Sequence, residues 1–260
     1  MHVSTTPNSW MRFQYSIVQI SKWSAIFIII MEDSKKLIAM FSGIIGVIIF
    51  YIGSIIAMLT YPNYSITGNF FSDTGLRVDD FSVIDGHLIK AHPYPWIFNT
   101  TLYLTAFFLL PFFLSVPKIM NTDMNTSKPS RLLYYLDAGL GMVIVVATTF
   151  VGIYDWGTAF TYHVFAAQTT LGGILLFVLI WALADHFLNE DHPYKQYSTI
   201  RLDLAVSIFI IICSYTQVGF PIPNFMIAYI PLQIYQKLAI YSALLYISVI
   251  ASRLIKLIRS

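Results

Sequence analysis

Side chains that can do chemistry are concentrated in one polar stretch, residues 61–99. The stretch interrupts a series of apolar runs and places amide, hydroxyl, carboxylate and imidazole groups close together in sequence: Asn69, Ser72, Asp73, His87, His92 and Asn99. Polar and ionisable groups within or beside a bilayer are expensive to keep and are often functional. The stretch is therefore the first candidate for a binding or catalytic site.

Other polar side chains occur where later apolar runs begin or end. A histidine that acts as a base or ligand needs a second group on its other ring nitrogen, and a carboxylate is the usual partner. In the catalytic interpretation His163 and Asp155, joined by Asp73 and His92, bind a metal or act as an acid–base pair on a lipid headgroup. We predict three catalytic residues, Asp73, Asp155 and His163, and a ligand-binding set of Asn69, Ser72, His92, Asn99, Gln168, Gln217, Gln236 and Lys237.

A structural interpretation of the same residues is favoured over the catalytic one. In it, the polar groups hydrogen-bond the long loop to the mouth of a helix bundle, and Asp73 turns the SDTG segment through its own backbone. The sequence contains no HxxxH or HExxH spacing, so a metal site would need ligands from separate segments. The sequence defines neither a metal nor a cofactor.

The composition indicates a membrane protein. Of 260 residues, 57% are hydrophobic and 11% are charged, whereas about a quarter of the residues of a soluble domain are charged. The net charge of +2 gives no indication of nucleic-acid binding. The single cysteine, Cys213, rules out an intrachain disulfide.

Six apolar runs are long enough to cross about 30 Å of hydrocarbon as helices. They cover residues 37–60, 96–116, 132–154, 163–184, 202–220 and 236–255. We therefore expect an all-α integral membrane protein, a bundle of six transmembrane helices in which Pro111 kinks the second span.

Lysine and arginine are enriched in alternate connectors, which places both termini in the cytoplasm. The loop between the first two spans is then extracytoplasmic, long and structured, and the predicted site lies on the outer face. On the cytoplasmic side, three aspartates near two arginines are expected to form interfacial ion pairs or to snorkel at helix ends: Asp137, Asp185 and Asp203 near Arg131 and Arg201.

Residues 1–36 form a separate prediction. The segment 13–31 is apolar but interrupted by Gln14, Gln19 and Lys22. It is interpreted as an interfacial helix or a non-native extension, with translation starting at Met31 in the second case, and a seventh span is the weaker alternative. Residues 37–260 are expected to form the six-span domain.

Three segments carry a family resemblance: NFFSDTG at 69–75, IFN at 97–99 and RLLYYLDAGLGMVIVVATTFVGIYD at 131–155. In them the chain resembles the DRAM/Frag/Sfk family of six-span membrane proteins and related uncharacterised prokaryotic, DUF998-like, membrane proteins. The resemblance implies six helices with both termini inside and places family positions at Ser72, Asp73, Gly75, Phe98 and His163. Eukaryotic relatives are linked to autophagy and membrane lipid organisation, which implies no single reaction here.

We therefore expect a multi-pass protein of the cell membrane that associates with membrane lipids through a polar pocket on its outer face. The alternatives are a membrane-embedded hydrolase or transferase of lipid headgroups and a structural or interaction scaffold. A transporter is disfavoured because the spans offer too few polar groups on the cytoplasmic side of their apolar middle. The oligomeric state is not defined by the sequence.

Overall fold

The computed structural model describes residues 8–81, 88–122, 127–154, 157, 159–188 and 232–259. These residues form five long helices, a single 3₁₀ turn and one short β-ribbon. The helices are α1 (Asn8–Thr60), α2 (Trp96–Thr122), α3 (Lys128–Ile153), α4 (Phe160–His186) and α5 (Leu232–Arg259). The 3₁₀ turn is Ser72–Gly75, and the antiparallel ribbon pairs β1 (Asp80–Phe81) with β2 (Leu88–Ile89).

All five helices contain a stretch long and apolar enough to cross a membrane: Glu32–Thr60, Trp96–Met120, Lys128–Ile153, Phe160–His186 and Gln236–Arg259. The prediction of apolar helices is confirmed at these five places. The remaining predicted span, residues 202–220, lies outside the described residues. α2 continues as a helix through Pro111 and Pro117.

Neighbouring helices run antiparallel and approach closely at small residues. α1 packs on α2, α2 on α3, α3 on α4, and α5 on α1. Gly53 lies against Thr101, and Gly43, ten residues earlier in α1, lies against Phe112, so the two helices run in opposite directions. Small residues allow helix backbones to approach in this way in membranes, where packing replaces the hydrophobic effect.

This arrangement gives the bundle two distinct ends. The first, which we call the cap end, carries the C-termini of α1 and α3 and the N-termini of α2, α4 and α5. Residues 61–81 and 88–95 fold over it and are called the cap segment. The opposite end carries the start of α3 and the end of α4, which Ser127 joins by donating a hydrogen bond to the Phe187 carbonyl.

The outward surfaces of the helices are apolar, as a lipid-facing surface requires. Large side chains remain exposed along α1, α2 and α4, with Phe107 66% exposed and Phe165 71% exposed. α1 begins at Asn8 and is one continuous helix to Thr60. How its first part relates to the membrane, and the division of the chain at residue 36, stay predictions.

Candidate functional site

Phe71 anchors the cap segment in the bundle. Its side chain is 2% exposed, stacks on Phe98 of α2 at 6.3 Å between ring centroids, and meets Phe50 and Tyr241 edge-on at 5.8 and 5.3 Å. Burying an aromatic ring among three others stabilises the contact through both area and ring geometry. The turn that follows Phe71 is thereby held directly over the ends of α1, α2 and α5.

Asp73 closes this turn from the inside. Its carboxylate, 3% exposed, accepts a hydrogen bond from the Phe70 backbone N–H at 2.9 Å and from the Asn69 amide at 3.1 Å. Asn69 in turn accepts from the Ser65 backbone N–H at 2.9 Å. A buried carboxylate needs such donors to offset its lost hydration. Asp73 and Asn69 are therefore used in shaping the turn.

Lys237 and Gln236 tie the turn to the first residues of α5. The Lys237 ammonium donates to the carbonyls of Ile66 at 3.0 Å and Gln233 at 3.2 Å, and also to the Asn69 carbonyl. These three acceptors match the three donors of an ammonium group. The Gln236 side-chain oxygen accepts from the Phe71 backbone N–H at 2.9 Å. Both residues are buried.

The end of the 3₁₀ turn lies on the start of α2. A Cβ added to Gly75 would lie 2.6 Å from the Asn99 side-chain oxygen, closer than atoms of that kind can approach. Asn99 is 5% exposed, and its amide lies 3.5 Å from the Gly75 carbonyl. Gly75 therefore permits the close approach that lets Asn99 face the turn.

His92 lies on the other side of the cap segment and has partners for both ring nitrogens. Nδ1 accepts from the Tyr94 backbone N–H at 2.7 Å, so Nε2 carries the proton and donates to the Ala57 carbonyl at 3.0 Å. Burial lowers the pKa of His92, and the bond to Ala57 opposes this shift. Its ring packs against Tyr61, whose pKa burial raises to about 12. This arrangement fixes the end of α1 to the cap segment.

His163 occupies a different environment, in the first turns of α4. Its Nδ1 lies 2.6 Å from the Tyr154 carbonyl, which can only accept, so Nδ1 donates. In the neutral ring the lone pair is then on Nε2, the nitrogen that can accept a hydrogen bond. His163 is 3% exposed and lines an internal cavity.

The cavity has a volume of about 340 Å³ and begins directly beneath the cap segment. Its polar lining near the cap end comes from Ser72, His163, Gln168 and Gln236, and the rest is largely apolar. Described residues from all five helices contribute. The apolar lining includes Phe50 of α1, Phe98, Leu102 and Leu109 of α2, Ile144 and Val151 of α3, Val164, Leu171 and Ile174 of α4, and Ile240, Leu244 and Ile247 of α5.

Two threonines of this lining have buried hydroxyls without a hydrogen-bond partner, Thr105 of α2 and Thr170 of α4. In apolar helices a threonine hydroxyl usually donates to the carbonyl one turn earlier, as Thr101 does to Ile97 at 2.8 Å. The two hydroxyls are thus available to a bound molecule. The sequence analysis did not select them, although a threonine within a membrane span was the available signal.

The predicted site residues therefore divide into groups. Asn69, Asp73 and Lys237 form the hydrogen-bonded turn; Ser72, His163, Gln168 and Gln236 line the cavity; and Asn99 and His92 hold the cap segment to α2 and α1. Asp155 and Gln217 lie outside the described residues. Within the described part of the chain, no three His, Cys, Asp or Glu side chains are grouped so as to hold a metal ion. The catalytic and ligand-binding roles stay predictions.

Five long apolar helices packed side by side, with polar groups gathered at one end, are typical of a helical multi-pass membrane protein. The chain belongs to the family described as Protein of unknown function (DUF998), whose family model matches residues 44–253. No curated protein and no solved structure matches the chain. The match supports the resemblance to the uncharacterised DUF998-like proteins, and the resemblance to the DRAM/Frag/Sfk family stays a prediction.

Proposed function

We propose that this protein binds a single amphipathic membrane lipid, with the acyl chain in the cavity and the polar head beneath the cap segment. The observation that carries the proposal is the composition of the cavity. Its walls are apolar, while hydrogen-bonding groups are gathered at the end under the cap segment. A volume of about 340 Å³ falls within the range of roughly 300–1,000 Å³ that is typical of ligand sites.

The depth of the cavity fits one leaflet. On α2 the lining runs from Phe98 to Leu109, which corresponds to about 16 Å at the helical rise of about 1.5 Å per residue. On α5 it runs over an equal length from Gln236 to Ile247. The hydrocarbon core of a bilayer is about 30 Å thick. An acyl chain that enters at the cap end would therefore reach the bilayer midplane, where the chains of that leaflet normally end.

The polar end favours recognition by hydrogen bonds over recognition by charge. Lys237 is already engaged by three carbonyls and Asp73 by the turn. The other polar side chains that line this end of the cavity carry imidazole, amide and hydroxyl groups: His163, Gln168, Gln236 and Ser72. Ester carbonyls and hydroxyls of a glycerol or similar backbone are the matching chemistry. The Lys/Arg distribution supports placing this end, with the cap segment, outside the cytoplasm and both termini inside it.

The test is native mass spectrometry of the protein purified in mild detergent. The wild type is compared with a variant in which a larger side chain fills the cavity. Ala167 lines the cavity from α4, so Ala167→Phe is expected to remove a co-purifying lipid. The matched control is Phe165→Trp two residues earlier, which adds bulk on the exposed face and should retain the lipid. Loss of lipid only from the first variant supports the proposal. Equal lipid retention by both variants, or no lipid on the wild type, overturns it.

A lipid-headgroup hydrolase or transferase is the second candidate, and His163 is the observation that favours it. Its Nδ1 is fixed by Tyr154, so Nε2 is the basic nitrogen at the polar end of the cavity. Lipids from membranes with and without the protein would be compared, and His163→Gln should abolish any change in headgroup composition without lowering Tm. If His163→Gln leaves headgroup turnover intact, the residue has a binding or packing role. A scaffold without lipid would show neither activity nor bound lipid.

A further inference from the structure

We propose that Asp137 and Asp185 form a proton-binding pair at the end of the bundle opposite the cap segment, with Asp137 present as the neutral acid. Asp137 lies nine residues into α3, and Asp185 is the penultimate residue of α4. The ligand is a proton, and the site is separate from the lipid cavity.

Asp137 carries the argument because it is completely buried and accepts no hydrogen bond from the described residues. Its exposure is 0%, and within the described part of the chain neither carboxyl oxygen has a hydrogen-bond partner. An ionised carboxylate in such surroundings costs several kcal/mol. The group instead takes up a proton, and the neutral acid removes most of that cost.

Asp185 is the second member of the pair. It is 2% exposed, and the Tyr134 hydroxyl donates to its carboxylate at 2.9 Å. Tyr134 precedes Asp137 by almost one helical turn, so the two side chains lie on neighbouring parts of the same face. Two carboxylates that share a buried site cannot both ionise easily, so one holds the proton.

Three other charged or titratable groups of α2, α3 and α4 near this end are exposed or paired elsewhere. Arg131 of α3 and His186 of α4 are exposed. From α2, Lys118 pairs with Glu32 of α1 at 2.6 Å. On α3 and α4 the groups that face Asp137 are therefore Tyr134 and Asp185.

The test is infrared difference spectroscopy of the full chain in lipid vesicles, wild type minus Asp137→Asn, at neutral pH. The wild type is expected to show one protonated-carboxyl band that the variant lacks. This band should shift in D₂O and should persist well above pH ~4, where an exposed aspartate ionises. The matched control, Asp79→Asn, removes an exposed carboxylate whose pKa the Ala91 N–H and Lys90 lower, so it should remove carboxylate bands instead. Asp137→Leu gives the same spectral comparison if the amide variant does not fold.

The pairing has its own readout. Asp185→Asn removes the neighbouring charge, so the Asp137 band should titrate at lower pH than in the wild type. If Asp137→Asn removed only ionised-carboxylate bands and no protonated-carboxyl band, the proposal would be overturned. A titration of the Asp137 band that is unchanged by Asp185→Asn would overturn the pair.

Discussion

The two ends of the helix bundle hold buried charge in opposite ways. At the cap end, Asp73 accepts two hydrogen bonds and the Lys237 ammonium donates to three carbonyls. At the opposite end, Asp137 is equally buried, and neither of its oxygens has a hydrogen-bond partner among the described residues. A satisfied polar network fixes one structure, whereas an unsatisfied buried group is a candidate for binding a proton or ligand. By this criterion the turn around Asp73 is architecture, and the cavity and Asp137 are the sites at which we propose binding.

The largest loss of stability is expected from substitution of Asp73. Asp73→Ala leaves the buried Phe70 N–H and the Asn69 amide without their acceptor, and each unsatisfied donor costs about 1–3 kcal/mol. We expect the free energy of unfolding to fall by on the order of 3 kcal/mol, measured by thermal unfolding in detergent. The control is Asp79→Ala, an exposed carboxylate of the same cap segment, which should leave Tm nearly unchanged. A stable Asp73→Ala variant would refute the architectural role.

The second prediction compares the loss of stability caused by one substitution at each end of the helix bundle. Lys237→Met removes an ammonium group that donates to three carbonyls and should cost on the order of 2 kcal/mol. Asp137→Asn removes a titratable group that already lacks partners and should stay within about 1 kcal/mol of the wild type. Unfolding of both variants under the same conditions tests the contrast. Equal losses would mean that Asp137 is an ionised and paired carboxylate, contrary to our account.

Threonine hydroxyls with and without a hydrogen-bond partner can be compared on one helix, α2. Thr105→Val removes an unpaired buried hydroxyl, and should be neutral or stabilise by up to about 1 kcal/mol. Thr101→Val removes a hydroxyl bonded to Ile97 and should destabilise by a few tenths to about 1 kcal/mol. Thermal unfolding of lipid-free protein gives both values. Destabilisation by Thr105→Val of lipid-free protein would show that its hydroxyl has a partner within the protein.

The smallest effect concerns pH at the cap end. Burial holds the pKa of His92 below its usual value, so the unfolded chain binds a proton more readily than the folded one. Stability from this group is full above about pH 6.5 and is lost as the pH falls below it. Between about pH 7.5 and pH 5.5, Tm should fall about 2 °C more in the wild type than in His92→Gln. An equal fall in the two proteins would exclude His92 as the cause.

The helices could be predicted from the sequence, because a bilayer leaves an apolar run of this length no alternative to a helix. The gathering of polar residues at one end also followed, since antiparallel neighbours bring alternate helix ends together. Asn69, Asp73, Gln236 and Lys237 were expected at one level and do meet there. Their partners could not be predicted, because these depend on the backbone of the Phe71–Gly75 turn.

The expectation that Asp137 pairs with or snorkels beside Arg131 was wrong. Six residues of α-helix separate the two, which places them about 120° apart around α3. Arg131 is exposed, whereas Asp137 faces the interior with Tyr134.

The cavity could not be predicted from the sequence either, because a void depends on how five helices pack. No periodic pattern marked Thr105 and Thr170 as unpaired.

The most direct test of the central claim is photocrosslinking in vesicles with a lipid that carries a diazirine near the end of one acyl chain. Leu109 and Ile247 line the deepest part of the cavity and are 4% and 0% exposed, so bulk lipid does not reach them. We predict crosslinks at these two residues, and their loss in Ala167→Phe. Crosslinks confined to outward-facing residues such as Phe107 and Leu114 would contradict the account.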